Sequence, residues 1–401
     1  MKQLLRTVHN IGKLSLIVLF IASTFIYTML QGEFVSWFLF YSFIPFGLYS
    51  LLLPFCALWN ADVRRITNQK EYTAGQQFLG TITIKRKIPF PLLYLIIEEI
   101  LPMEFNNRKQ SKNAKVILFP GFKRNISYQY IIDTIPRGEH TFSSVRVKTG
   151  DVFGIIEKEI TFSVPESFLV YPQYVDIAYR QVENYFEQGA LSSNVNVTRD
   201  ATVSASVRDY KPGDRFSWIN WKATARKNNI MTKEFEQQRS HDAVIFMDRT
   251  QSPLFELVVT FTASLVRSIL KQDSQASFVS TEKEQTLLPL SHGETQVQQI
   301  FCHLAKVKAD STFSLSQTVE VELKKIYQPV TFILITSNLS PDIQEIAESI
   351  AIKNSRLMIF VIKEKAHQFS NRELHIIETL RKRKIFVKAV YENHYANVFL
   401  R

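Results

Sequence analysis

The chain has 401 residues, 46% of them hydrophobic and 21% charged, with two cysteines and a formal net charge of +11. One cysteine, Cys56, lies in an apolar run and the other, Cys302, in a helical pattern, which excludes a disulfide framework and fits a reducing compartment. A mean hydropathy of −0.04 excludes a polytopic chain, and the length accommodates two or three folded units of about 100–200 residues.

Residues 14–30 carry no charge, and neither do residues 34–59. Each run is about as long as a helix needs to cross a hydrocarbon core of ~30 Å at 1.5 Å per residue. Gln31-Gly32-Glu33 join them, so they form an antiparallel hairpin; Pro45 and Pro54 are tolerated in such helices. A cleaved signal peptide is the weaker reading, because a second apolar run follows at once. Lys2, Arg6 and Lys13 precede the first run, Arg64 and Arg65 follow the second, and the turn carries only Glu33. The positive-inside rule then predicts two spans in the plasma (inner) membrane, with both termini and the soluble domains cytoplasmic. The net positive charge fits the same picture, since an anionic leaflet attracts each nearby basic residue by about 1 kcal/mol. Nucleic acid is not the favoured partner: no zinc knuckle, helix-turn-helix or arginine-rich tail is present.

Four regions follow from the pattern: the hairpin with its flanks over 1–65, a β-sandwich over 66–180, a distinctive helix-plus-strand segment over 181–240, and an α/β domain over 241–401. In the second region, strands are predicted at 78–84, 92–97, 114–119, 126–132, 143–147, 157–162 and 168–170. Short strands divided by Pro/Gly breaks, with no good helix among them, predict an antiparallel sandwich. The basic loop 106–115 reads as solvated, with lipid headgroups as the alternative contact. Nothing there groups His, Cys and carboxylates as a metal site would.

The third region holds Arg208, Tyr210, Pro212, Gly213, Asp214, Trp218, Trp221, Ala225 and Arg226. Pro212-Gly213 predicts a turn and Asp214 an N-cap, so a helix would start at Arg215 and place Trp218, Trp221 and Ala225 on one face. Arg226 would close its last turn, and 230–235 would be a strand. The favoured expectation is a packed helix with aromatics in the core; a stacking platform for nucleic acid is the alternative.

The fourth region alternates strand and helix. Strands are expected at 244–248, 276–280, 286–290, 330–336, 357–362 and 385–390, and helices at 255–271, 295–308, 315–327, 343–352 and 371–381. That alternation predicts a doubly wound α/β domain with a mainly parallel sheet, whose ligands bind at the carboxyl ends of the strands.

The signature residues of the third region resemble those of the bacterial "domain of unknown function 58" family. Upstream, Pro136-Arg137-Gly138, Gly150-Asp151-Val152-Phe153-Gly154 and Tyr171-Pro172 are similar to that family's sandwich part, with Val152 where the family usually has proline. The resemblance covers nearly the whole chain. It implies a membrane anchor, a von Willebrand A-like C-terminal domain, and partners among MoxR-like AAA+ ATPases and transglutaminase-like membrane proteins.

Asp248, Thr250 and Ser252 resemble the Mg²⁺-holding Asp-x-Ser-x-Ser loop of von Willebrand A domains, with Thr312 as the distant threonine. The match is degenerate. Ser337-Asn338 stand where the metal-binding family has an aspartate, and Arg249 brings a cation into the loop. The competing expectation is that Asp248, Thr250 and Ser252 cap the following helix. No Gly-x-Ser-x-Gly, His-Glu-x-x-His, P-loop or Gly-x-Gly-x-x-Gly sequence occurs, and His292 and His303 read as surface residues. The resulting expectation is a non-catalytic adaptor tethered to membrane lipid. Anionic-lipid or nucleic-acid binding, or an enzyme of envelope metabolism, are the alternatives.

Overall fold

The computed structural model describes residues 2–56, 58, 60–102, 105, 111–112, 114–179, 204–211, 214, 216–227, 229–235, 242–272, 274–280, 286–311, 313–325, 330–352, 356–364, 369–383 and 385–399. Most of the basic loop 106–115 lies outside them. The chain divides into two compact units, Met1–Gln173 with Ala305–Val307, and Tyr174–Leu304 with Lys308–Arg401.

The first unit opens with α1 (Lys2–Gln31) and α2 (Phe34–Cys56), joined through Gly32 at φ 66°. Both are long and apolar enough to cross a membrane, over Gly12–Gln31 and Phe34–Phe55. Among the described residues, nine strands follow: β1 (Asp62–Thr67), β2 (Glu71–Thr73), β3 (Phe78–Lys85), β4 (Leu95–Glu99), β5 (Ser111–Lys112), β6 (Lys115–Leu118), β7 (Asn125–Ile132), β8 (Gly138–Gly150) and β9 (Glu157–Tyr171). They form two sheets, ordered β1-β3-β7-β5 and β2-β9-β8-β4-β6, antiparallel throughout except for the parallel β2–β9 pair.

Strict alternation creates the shared core. In β3, Phe78, Ile82 and Ile84 point inward, and across the sheets Phe78 stacks on Phe142 and Phe168 at 5.4 and 5.1 Å. Gly80 keeps the phase without a side chain, since a Cβ there would come within 2.4 Å of the Tyr130 ring. β8 and β9 are longer than the sequence suggests. Pro165 sits where the ladder shifts register between Phe142 and Ser144, so the bulge absorbs a residue that would otherwise end the strand.

Arg65, which follows the second apolar run in the sequence, is an internal residue of the sandwich. Its side chain is fully buried, Nη2 donating to Glu99 Oε1 at 2.6 Å and Nη1 to the Val164 carbonyl at 2.6 Å. Burial raises the Glu99 carboxyl's pKa, and Arg65 opposes that rise. Arg64, by contrast, stays exposed and pairs with Asp62 at 2.9 Å.

The second unit begins with residues 174–179 laid along a helix described below, and continues with β10 (Ser204–Asp209), a 3₁₀ turn over Phe216–Trp218, α3 (Trp221–Lys227) and β11 (Met231–Phe235). Next come β12 (Ala243–Met247), α4 (Phe255–Leu270), β13 (Ala276–Ser280), β14 (Thr286–Ser291), α5 (Glu294–Lys306), α6 (Leu315–Leu323), β15 (Thr331–Thr336), α7 (Asp342–Ile352), β16 (Arg356–Lys363), α8 (Asn371–Lys382) and β17 (Phe386–Tyr391). β10 and β11 pair as an antiparallel ribbon.

The remaining six strands form one sheet, ordered β14-β13-β12-β15-β16-β17, parallel except for β14 at its edge. β12, β13 and β15 are buried at every position, as strands covered on both faces must be. One face packs Leu315, Val319 and Leu323 of α6, Ile346 and Ile350 of α7 and Leu380 of α8. The other receives α4, where Phe261 meets Phe360 at 5.1 Å, and α5, where His303 meets Phe278 at 5.6 Å. His303 is thus half-buried and bonded to Ser280 Oγ at 2.9 Å, not a surface residue. Ser314 and Ser370 close capping boxes with Gln317 and Glu373, which explains where α6 and α8 begin.

The strap over 174–179 is fastened to α4 by its serines. Ser264 Oγ accepts from the Val175 N–H at 2.9 Å, and Ser268 Oγ donates to the Ile177 carbonyl at 2.6 Å. Arg267 lies over the Tyr174 ring at 4.6 Å.

Candidate functional site

Strand order in the parallel sheet reverses between β12 and β15: the chain moves outward from β12 to β13 on one side, and from β15 to β17 on the other. A doubly wound sheet offers its crevice at that point, outside the carboxyl ends of the strands. Asp248 follows β12 directly and Thr336 ends β15, so both lie there.

The crevice is stitched together by the protein itself. Asp248 is buried, and its N–H donates to the Ile335 carbonyl at 3.0 Å. Its Oδ1 accepts from the Thr250 N–H at 2.9 Å, and its Oδ2 accepts the Thr336 hydroxyl at 2.7 Å. Arg249, also buried, points the other way. Its Nε donates to the Lys308 carbonyl at 3.1 Å and its Nη2 pairs with the largely exposed Asp310. Ser252 Oγ accepts from the Leu254 N–H at 3.2 Å, a local turn rather than a helix cap, since α4 starts beyond Leu254 with no side-chain cap bond. Asp248 and Thr250 do not cap α4 either; the aspartate joins two strands and a loop.

As a Mg²⁺ site the donor set is poor. Asp248 already takes two donors, Thr250 and Ser252 supply only hydroxyls, and the Asp310 carboxylate is paired with the adjoining Arg249. Among the described residues, no three His, Cys, Asp or Glu side chains group as metal ligands. Thr312 lies outside the described residues. Thr336 and Asp310 are the members of this cluster that sequence reasoning missed. A hydroxyl at the end of a buried strand beside the first strand's aspartate was the available signal for Thr336.

The signature segment builds a second locus. Arg208 and Asp214 form a two-toothed clasp, Nη1–Oδ2 and Nη2–Oδ1 both 2.8 Å, and the Lys211 N–H adds a third donor at 3.0 Å. The Arg208 guanidinium, helped by that N–H, holds the Asp214 carboxyl down to about 2. Asp214 is therefore not the N-cap that its position after Pro212-Gly213 suggests; those two residues lie outside the described ones. The cap is Asn220, whose Oδ1 accepts from the Ala223 N–H at 3.1 Å, while its own N–H donates to the Met231 carbonyl at 2.8 Å. This second bond holds Asn220 against the ribbon, so the helix cannot begin before Trp221.

The two tryptophans consequently do not share a helix face. Trp218 closes the 3₁₀ turn, half-buried, and Trp221 opens α3. No residue of α3 is buried: Trp221 is 69% exposed and Phe216 78%. Tyr210 lies parallel to Phe216 with ring centroids 6.5 Å apart. Lys211, Lys222, Arg226 and Lys227 are exposed beside them, with Ala225. The expected packed helix is in fact an aromatic and basic surface on a braced ribbon.

A family model described as "Protein of unknown function DUF58" matches residues 206–390, from the ribbon to the last strand. The chain is 39% identical over 379 residues to "Uncharacterized protein YeaD" of Bacillus subtilis (strain 168), covering 94% of each chain. Among solved structures, that of BslA, a bacterial hydrophobin, aligns with 28% of this chain and 95% of its own at 8% identity and a TM-score of 0.18. Cwp6 from Clostridium difficile aligns with 84% of this chain and 53% of its own at 9% identity and a TM-score of 0.15. Scores this low carry no fold argument. Because the family model matches residues 206–390, where the signature residues lie, and the relative is 39% identical over 94% of the chain, the chain belongs to the DUF58 family, a family of unknown function.

Proposed function

We propose that the protein is a membrane-tethered, non-catalytic adaptor whose second unit, a von Willebrand A-like domain, docks a cytoplasmic AAA+ ATPase of the MoxR type. The observation that carries this reading is the exposure of Phe216 and Trp221 on a ribbon fixed by the Arg208–Asp214 clasp and the Asn220 cap. Large aromatic side chains held rigidly in solvent are the usual anchors of protein interfaces. The surrounding cations suit a partner with an acidic face. The switch-point crevice supports a docking role over catalysis, since Asp248 and Arg249 are both engaged in internal bonds.

In this reading α1 and α2 cross the plasma membrane with both termini and both units on the cytoplasmic side, as Lys2, Arg6 and Lys13 favour. A transglutaminase-like membrane protein is the further partner that the family resemblance suggests. Pull-down with the full chain from detergent extract tests the reading. An ATPase is expected with the wild type and is expected to be lost with Phe216→Ala/Trp221→Ala; a pull-down without any ATPase counts against it.

The exposed rings amid cations also favour a second reading, stacking of single-stranded nucleic acid. It requires salt-sensitive oligonucleotide binding that the same double variant abolishes.

A further inference from the structure

We propose that the first unit enters the bilayer not only through its helices but also through the tip between β8 and β9, residues 151–156, an inference that rests on the hairpin spanning a membrane. Phe153 at the tip packs on Phe46 of α2, with ring centroids 6.0 Å apart. Ten residues separate Phe46 from the end of α2 at Cys56, a rise of about 15 Å, or half of a ~30 Å hydrocarbon core. Where α2 spans, the tip beside Phe46 lies among acyl chains.

The tip is built for that solvent. Val152, Phe153 and Ile155 are outward-facing and apolar, 55%, 58% and 36% exposed. Its single charge, Asp151, is 2% exposed, accepting the Ser50 hydroxyl at 3.0 Å on Oδ2 and the Ile156 N–H at 3.1 Å on Oδ1. The backbone closes on itself as well: the Asp151 N–H donates to Ile156 O at 3.0 Å, and the Gly154 N–H to Asp151 O at 3.3 Å. Gly154 supplies the left-handed φ of 67° that the turn requires. Lipid offers no hydrogen bonds, so a segment in it must satisfy its own polar groups, whereas a tip in water need not.

Charge is sorted by depth. Beyond the tip, Glu157 pairs with Lys148 at 2.8 Å, and Lys158 reaches the carbonyl of Pro54 near the end of α2. A cavity of about 260 Å³ between α1, α2 and the tip is lined by apolar side chains including Ile17, Ile21, Phe43 and Phe153. Its two hydroxyls, Thr24 and Ser50, are already bonded within the protein. A stretch of lipid acyl chain is the occupant whose chemistry fits it.

The test is spin-label accessibility in the full chain, reconstituted in nanodiscs of phosphatidylcholine and phosphatidylglycerol on a Cys56→Ser/Cys302→Ser background. Labels at Val152→Cys and Phe153→Cys are expected to match Leu39→Cys in the hairpin, open to oxygen and protected from a water-soluble nickel chelate. Val152 is included in case removing the Phe153 ring loosens the tip. Tip labels that resemble Lys324→Cys in the second unit, while Leu39→Cys remains lipid-like, would overturn this inference and leave the tether standing. If Leu39→Cys is itself open to nickel, both fall.

Discussion

Each unit contains an arginine–carboxylate pair, and the two pairs are placed in opposite ways. In the first, Arg65 and Glu99 are both sealed inside the sandwich, where neither side chain meets solvent. In the second, Arg208 and Asp214 pair at the surface, with side chains 35% and 12% exposed. A sealed pair holds a core and is invisible to any partner. A half-exposed pair braces a surface that a partner can read, so its loss should change binding more than folding.

The largest effect should therefore come from Arg65→Ala. It leaves Glu99 buried beside an empty space, and breaking one side of a buried pair costs about 3–5 kcal/mol. Denaturant unfolding of the full chain in detergent checks this. Glu99→Gln is expected to cost less, because the amide keeps an acceptor oxygen for the Arg65 Nη2 N–H.

Second in size is Asp151→Ala, which removes the acceptor for Ser50 and Ile156; a buried donor left unpaired costs about 1–3 kcal/mol. Ser50→Ala should cost less, because the Ile156 N–H keeps its partner. A similar loss is expected for Asp248→Ala, about 1–3 kcal/mol, with Thr336→Val nearer 1. Calorimetry with Mg²⁺ belongs to the same comparison. A flat titration is expected, and saturable binding abolished by Asp248→Ala would restore the metal reading.

The smallest effect concerns the surface clasp. The Asp214 carboxyl titrates lower in the fold than in a free chain, so the clasp's contribution is complete above about pH 4 and fades as pH falls through about 2. Hydrogen exchange over 204–235 should accelerate across that window, and Asp214→Asn should remove the step.

Much of the fold was legible beforehand. The two uncharged runs announced the hairpin, and the alternation after residue 241 located all six strands of the parallel sheet to within a residue or two, because fully buried strands leave continuous apolar runs. The strands expected at 157–162 and 168–170 are one, β9, because the ladder continues through a bulge at Pro165. The signature segment was misread for a different reason: Pro-Gly-Asp is a sound local start signal, but Arg208 captured the aspartate and the Met231 carbonyl held Asn220, and both bonds come from neighbouring strands. Arg65 likewise looks like any juxtamembrane cation until Glu99 is brought across the sheet. The Asp248 loop was visible as a motif, while Thr336 and Asp310, which decide how it is used, became apparent only with the topology.

The claim on which the rest depends is that the exposed aromatic surface meets a protein. The most direct measurement places a photo-crosslinking amino acid at Trp221 in the full chain and irradiates intact membranes. An adduct with an AAA+ ATPase is expected, lost when Phe216→Ala is added. Adducts with lipid or nucleic acid alone, or none at all from a folded chain, would contradict it.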